Sequence, residues 1–214
     1  MIALARPWMV LTLPGEMRVL SFAPHRPGFV RARRIVWREV RDADLTEHFD
    51  AKGWLAGALA AEGMADAVAM LTSRRLDAAR EAREDGAFAL ATVGLGNAER
   101  IGAGAAPAPP RGWGTINIAV VLEAGLSEAG LVEALSLAAA ARTRAVMESG
   151  RLIAGGPATG TGTDCIAVAA PFGEEDHCGL HTETGRALGR AVFAAVAAGA
   201  AEWMEAFGHA QISP

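Results

Sequence analysis

Apolar positions come in short runs early in the chain and in long periodic stripes toward its end. Trp8–Leu13 and Met17–Ala23 are apolar runs parted by Pro14-Gly15, a turn pair, and predict a β-hairpin. Val30–Val40 alternates, with Val30, Ala32, Arg34, Val36, Arg38 and Val40 on one side, and predicts a third strand. Asp44-Leu45-Thr46-Glu47 fits a capping box. Phe49, Trp54, Leu55, Ala58 and Leu59 then give the stripe of a helix that stops at Gly63. Ala67–Leu71 reads as a buried strand. Ser73 is placed to cap a charged helix over Arg74–Glu84, ended by Gly86. Ala87–Val93 and Thr115–Leu122 predict further strands, separated by a Pro/Gly/Ala loop over Ala103–Gly114. Ser127 caps a helix over Glu128–Met147 that Gly150 ends, and Thr163–Ala169 is a last strand. Thr182 caps the final helix, whose Leu188, Val192, Val196, Ala200, Trp203 and Phe207 recur at steps of three or four. Gly185 and Gly189 on that helix each cost about 1 kcal/mol of helix stability, which tight packing or a ligand must offset.

This order, β-β-β-α-β-α-β-β-α-β-α, predicts an α+β (or mixed α/β) protein, a single domain over residues 1–214 with a mixed or antiparallel sheet covered by helices. With 214 residues, 51% of them apolar, the chain is long enough to bury a core without staples. Its net charge of −4 and lack of a basic block argue against a nucleic-acid partner. Arg31, Arg33, Arg34 and Arg38 read as a solvated strand face. Two cysteines are too few for a disulfide framework, so a reduced, cytoplasmic location is expected. Met1–Leu13 leads into a strand and does not read as a signal peptide, and no membrane span is expected.

Four segments interrupt the apolar pattern with polar and Gly residues. The first, Thr92-Val93-Gly94-Leu95-Gly96-Asn97-Ala98, leaves a strand into a Gly-rich turn, serving either a positive φ or a close ligand. In the second, Gly114-Thr115-Ile116-Asn117-Ile118, alternation puts Thr115 and Asn117 on one face and Ile116, Ile118 and Val120 on the other. A buried amide must find partners, so Asn117 is either a bridge to a neighbouring loop or an orienting group in a pocket. The third, Ala158-Thr159-Gly160-Thr161-Gly162-Thr163-Asp164, alternates Thr with Gly before a carboxylate and carries the strongest site signal. It is no phosphate P-loop, because no Gly-Lys-Ser/Thr follows. The fourth, Gly179-Leu180-His181-Thr182, opens the last helix, where the dipole favours neutral imidazole. Asp176, His177 and Cys178 match no zinc spacing, so neither a metal nor another cofactor is expected. Cys165 reads as a buried, inert thiol, and the absence of Gly-x-Ser-x-Gly argues against an α/β-hydrolase.

Taken together and in this order, the four segments, with Gly185 and Gly189 after them, resemble the adenosylcobinamide amidohydrolase family over about residues 15–205. Cys165 departs from that pattern, which has a small Ala there. The resemblance implies an enzyme that removes aminopropanol from adenosylcobinamide to give adenosylcobyric acid for cobamide salvage, so the expected partner is a corrinoid substrate. A complete cobamide as a further substrate and a homo-oligomeric state both stay open. Amide hydrolysis needs an activated oxygen, oxyanion donors and a proton for the leaving amine. Asp164 or His181 is the candidate base, the other orienting it or protonating the amine. Water or the hydroxyl of Thr161 or Thr163 is the attacking group. The backbone of Gly160 to Thr163, including Gly162, with Asn97 or Asn117, is the candidate oxyanion site. Thr115 joins Asn117 in holding substrate, and Trp113 is the candidate platform for the ring. A non-catalytic corrinoid- or nucleotide-binding protein and a hydrolase using Cys165 are the competing readings.

Overall fold

The computed structural model describes residues 1–40, 50–104 and 114–208. The expected Asp44–Glu47 capping box and Trp113 lie outside them. Strands β1 (Ile2–Ala5), β2 (Trp8–Ser21), β3 (Gly28–Glu39) and β4 (Val68–Thr72) come first, with α1 (Ala51–Ala61) before β4. β5 (Arg80–Glu84), β6 (Ala87–Val93), the short β7 (Ala98–Glu99) and β8 (Ile116–Leu122) follow. Then come α2 (Glu128–Glu148), the short pieces β9 (Leu152–Ile153), β10 (Gly156–Pro157) and β11 (Gly160–Thr161), then β12 (Cys165–Ala170) and α3 (Glu183–Phe207). The main sheet runs β4-β3-β2-β12-β8-β6-β5, with β1 added to β2. β12 is parallel to β8 and β3 to β4, while the other pairs in the main sheet are antiparallel. The fold is α+β, a mixed sheet with three α-helices among the described residues.

Two expectations are corrected. Pro14-Gly15 does not reverse the chain: β2 runs straight through it, and its pairing with β3 slips between Thr12 and Met17. The two halves of β2 find different partners on the other side, β1 for the first and β12 for the second, and this holds the strand extended through the bulge. Nor is Arg74–Glu84 a helix. Leu76–Ala78 forms one 3-10 turn and Arg80–Glu84 pairs with β6. Asp85-Gly86 forms the two-residue turn between Glu84 and Ala87, with Gly86 at φ +82°. That hairpin signal was masked by the density of charge.

The sheet curls, so that β4 lies near β8 although three strands separate them in the sheet. Its inner face is packed with Met9, Leu11, Ile35, Trp37, Met70, Leu90 and Ala167. On the outer face of β12, β8 and β6, Ile116, Ile118, Val120 and Ile166 meet α2 and α3 through Leu131, Ala138, Leu188, Val192 and Val196. Thr115 and Asn117 point the other way, as alternation predicts. α1, capped by the Asp50 side chain on Gly53 N at 2.9 Å, covers Val36 and Ala69 with Leu55 and Leu59. Ser127 and Thr182 cap α2 and α3 as expected, on Gly130 N and Gly185 N. By length and composition α3 would span a bilayer, but half of its most apolar window is buried against the rest of the protein.

Of the four arginines of β3, Arg33 is exposed and the other three have separate partners. Arg31 lies over Phe172, Arg34 pairs with Asp66 at 2.8 Å, and Arg38 lies over Trp8 and Trp54.

Candidate functional site

Ser21, Thr72, Thr92, Thr115 and Asn117 are the buried polar residues among those described, and Thr72, Thr115 and Asn117 line one cavity with Thr92 paired beside Asn117. Register explains why. Asn117 on β8 pairs with Thr92 on β6 and with Cys165 on β12, so the three form a row across the sheet. Paired residues point to the same side, here the inner face. Asn117 Nδ2 donates to the Leu71 carbonyl at 2.6 Å and ties β8 to β4 across the curl. The Thr92 hydroxyl is buried without a partner, a burden of about 1–3 kcal/mol.

A cavity of about 240 Å³ opens beside this row, lined by Leu71, Thr72, Ser73, Gly114, Thr115, Asn117, Thr163 and Cys165, with Pro24, Val40 and Ala51 at its sides. Among the described residues no lining side chain is charged, and hydroxyl, carboxamide and backbone groups carry the polarity.

Two of the four segments line this cavity, and a third braces them. β11 pairs with β7, with Thr161 opposite Ala98, and brings the Thr/Gly loop to the Gly94–Ala98 turn. Asn97 Nδ2 donates to Thr163 Oγ1 at 3.2 Å, and Thr163 Oγ1 donates to the Gly114 carbonyl at 3.2 Å. Thr115 Oγ1 donates to the Thr163 carbonyl at 2.7 Å. Gly162 N donates to the Asn97 carbonyl at 3.4 Å. Gly94 and Gly114 are glycines because the loops touch: a Cβ on Gly114 would lie 2.5 Å from Gly96 N and 2.8 Å from Gly94 O.

Asp164 sits just outside the cavity. Thr163 and Cys165 line the cavity, while the carboxylate between them is directed toward α2. There it forms an ion pair with Arg142. It also accepts from Thr161 N at 3.0 Å, Ile116 N at 3.2 Å and the Thr161 hydroxyl. A carboxylate has about four acceptor sites, and these four donors fill them. Gly160 leaves room for the pair, since a Cβ there would be 2.6 Å from both Arg142 Nη1 and Asp164 Oδ2. Burial pushes the Arg142 guanidinium below its ordinary value.

The fourth segment lies elsewhere. Asp164 immediately precedes β12, and His181 follows its end by 11 residues. His181 is exposed, beside an α3 start that packs on Glu133 of α2, about 13 Å of helix axis from Arg142. Neither Asp164 nor His181 lines the cavity of about 240 Å³. Gly185 instead admits the Cys178–Gly179 backbone, whose Gly179 oxygen would be 2.0 Å from a Cβ. Tight packing therefore offsets that glycine. Asp176, His177 and Cys178 are spent separately: Asp176 accepts from Ser127, His177 is exposed, and Cys178 is buried.

Arg142 was missed from sequence. The signal was present: it follows Ala138 by four residues, among the buried Ala134, Ala138, Ala141 and Ala145 of α2. A charge on that stripe must have a partner. Cys165 is a cavity thiol that burial pushes up to about 12, so at neutral pH it is a protonated, weak nucleophile.

A largely apolar pocket edged by hydroxyls and one carboxamide among the described residues, beside glycine-lined loops at one end of a curled α+β sheet, is the candidate site of this fold. A family model, adenosylcobinamide amidohydrolase (CbiZ), matches residues 2–207. The chain belongs to the adenosylcobinamide amidohydrolase family, hydrolases acting on adenosylcobinamide. No curated protein matches it.

Proposed function

We propose that this protein cleaves the amide joining the aminopropanol arm to the corrin ring of adenosylcobinamide, releasing adenosylcobyric acid for cobamide salvage in the cytoplasm. The observation that carries the reading is a cavity lined by Thr115, Asn117 and Thr163 from two polar segments, braced by a third through Asn97, with no charged side chain in its wall among the described residues. A corrin periphery is rich in neutral carboxamides, and Asn117, Thr115, Asn97 and Thr163 are groups that exchange hydrogen bonds with such arms.

Water is the attacking oxygen. Thr161, whose hydroxyl donates to Asp164, does not line the cavity, and the Thr163 hydroxyl donates to the Gly114 carbonyl with no base beside it among the described residues. Asp164, with its acceptor sites filled, anchors the loop instead of abstracting a proton. The same fact favours a second reading, a corrinoid-binding protein without turnover, because no carboxylate or imidazole lines the cavity among the described residues.

Purified protein incubated with adenosylcobinamide and followed by mass spectrometry separates the two. Loss of aminopropanol with formation of the acid is expected. Intact substrate, held at equilibrium by stoichiometric protein, would establish the binding reading instead.

A further inference from the structure

We propose that Arg142 is a positioning residue for this hydrolysis, setting both walls of the cavity from outside it through Asp164. The inference rests on the amidohydrolase reading above. Arg142 and Asp164 keep 13% and 8% of their side-chain exposure, so the pair is largely removed from water. Asp164 stands between two cavity residues in sequence, Thr163 and Cys165. Its Oδ1 holds Ile116 N, which stands between two more, Thr115 and Asn117. One carboxylate therefore fixes the backbone of β8 and of the β12 entry, while its Oδ2 holds Thr161 N at the turn before Thr163. Arg142 fills the remaining acceptor site and fastens this assembly to α2. Without the guanidinium the carboxylate would be buried unpaired and would turn toward water. Thr163 and Thr115 would move with it.

The test uses the full chain with Arg142→Lys, Arg142→Met and the double variant Arg142→Met/Asp164→Asn. The double variant leaves no unpaired buried charge, and its one amide oxygen keeps an acceptor for Ile116 N and the Thr161 hydroxyl, although Thr161 N loses its own. Its melting temperature is therefore expected to recover above that of Arg142→Met. A merely structural role predicts that kcat recovers too. Positioning predicts that kcat stays down by about 10²-fold, the scale of an ångström-sized misplacement, with KM changed much less and Arg142→Lys in between. A double variant with recovered stability and wild-type kcat overturns the proposal. Failure of the wild-type chain to release aminopropanol would sink the hydrolase reading alone. The positioning role is then read from corrin absorbance on titration with adenosylcobinamide. Weaker binding by about tenfold in the refolded double variant supports it, and unchanged binding overturns it.

Discussion

Asn117 is both a strut and a cavity group. Its Nδ2 holds the Leu71 carbonyl, and its side chain lines the site. Asn117→Ala leaves that carbonyl unpaired and should cost about 1–3 kcal/mol, read as a lower denaturation midpoint, together with a fall in kcat/KM for adenosylcobinamide. Loss of activity without loss of stability would mean that the strut is unimportant. The neighbouring thiol of Cys165 gives a pH signature. Its ordinary value is 9.0 and the fold holds it at about 12. The folded state thus binds this proton more tightly, so the stabilisation is whole below pH 9 and is lost as pH rises toward 12. Melting temperature should fall more steeply across that window in wild type than in Cys165→Ala, and parallel curves would refute the assignment. The shared face of Thr115 and Asn117 could be read from sequence because strand side chains alternate strictly. The identity of the Asn117 partner could not, because Leu71 lies 46 residues away and meets it only through the curl.

Among elements, the glycines divide the molecule into a part that touches the site and a part that does not. Gly114→Ala drives a Cβ into the Gly94–Gly96 backbone and should destabilise by about 1–3 kcal/mol while also displacing Thr115. Gly185→Ala drives one into Gly179 O and should lower the melting temperature with kcat of the folded fraction retained. Circular dichroism melts beside steady-state rates check both, and equal loss of kcat in the two variants would link the α3 start to the site. Helices α2 and α3 were readable, caps included, because an apolar stripe and a capping hydroxyl are local signals. β5 was not. Its Arg80, Glu81, Arg83 and Glu84 look helical alone and become a strand only by pairing with β6.

For the whole molecule, the order of the four segments along the chain gave no hint that His181 stands outside the cavity lined by Thr115, Asn117 and Thr163. It opens α3 instead, where the Cys178–Gly179 backbone packs on Glu133 of α2. His181→Ala should accordingly hold kcat/KM within about threefold, as for an exposed surface substitution, and a larger loss would place the imidazole in the reaction after all. Strand geometry constrains how this site can change. Inserting or deleting one residue ahead of Cys165 would exchange inside for outside, pushing a carboxylate into the pocket and turning Thr163 toward α2. Variants of altered substrate preference should therefore differ in side-chain identity at this strand entry and keep its length, a reading frame written in backbone and not in codons.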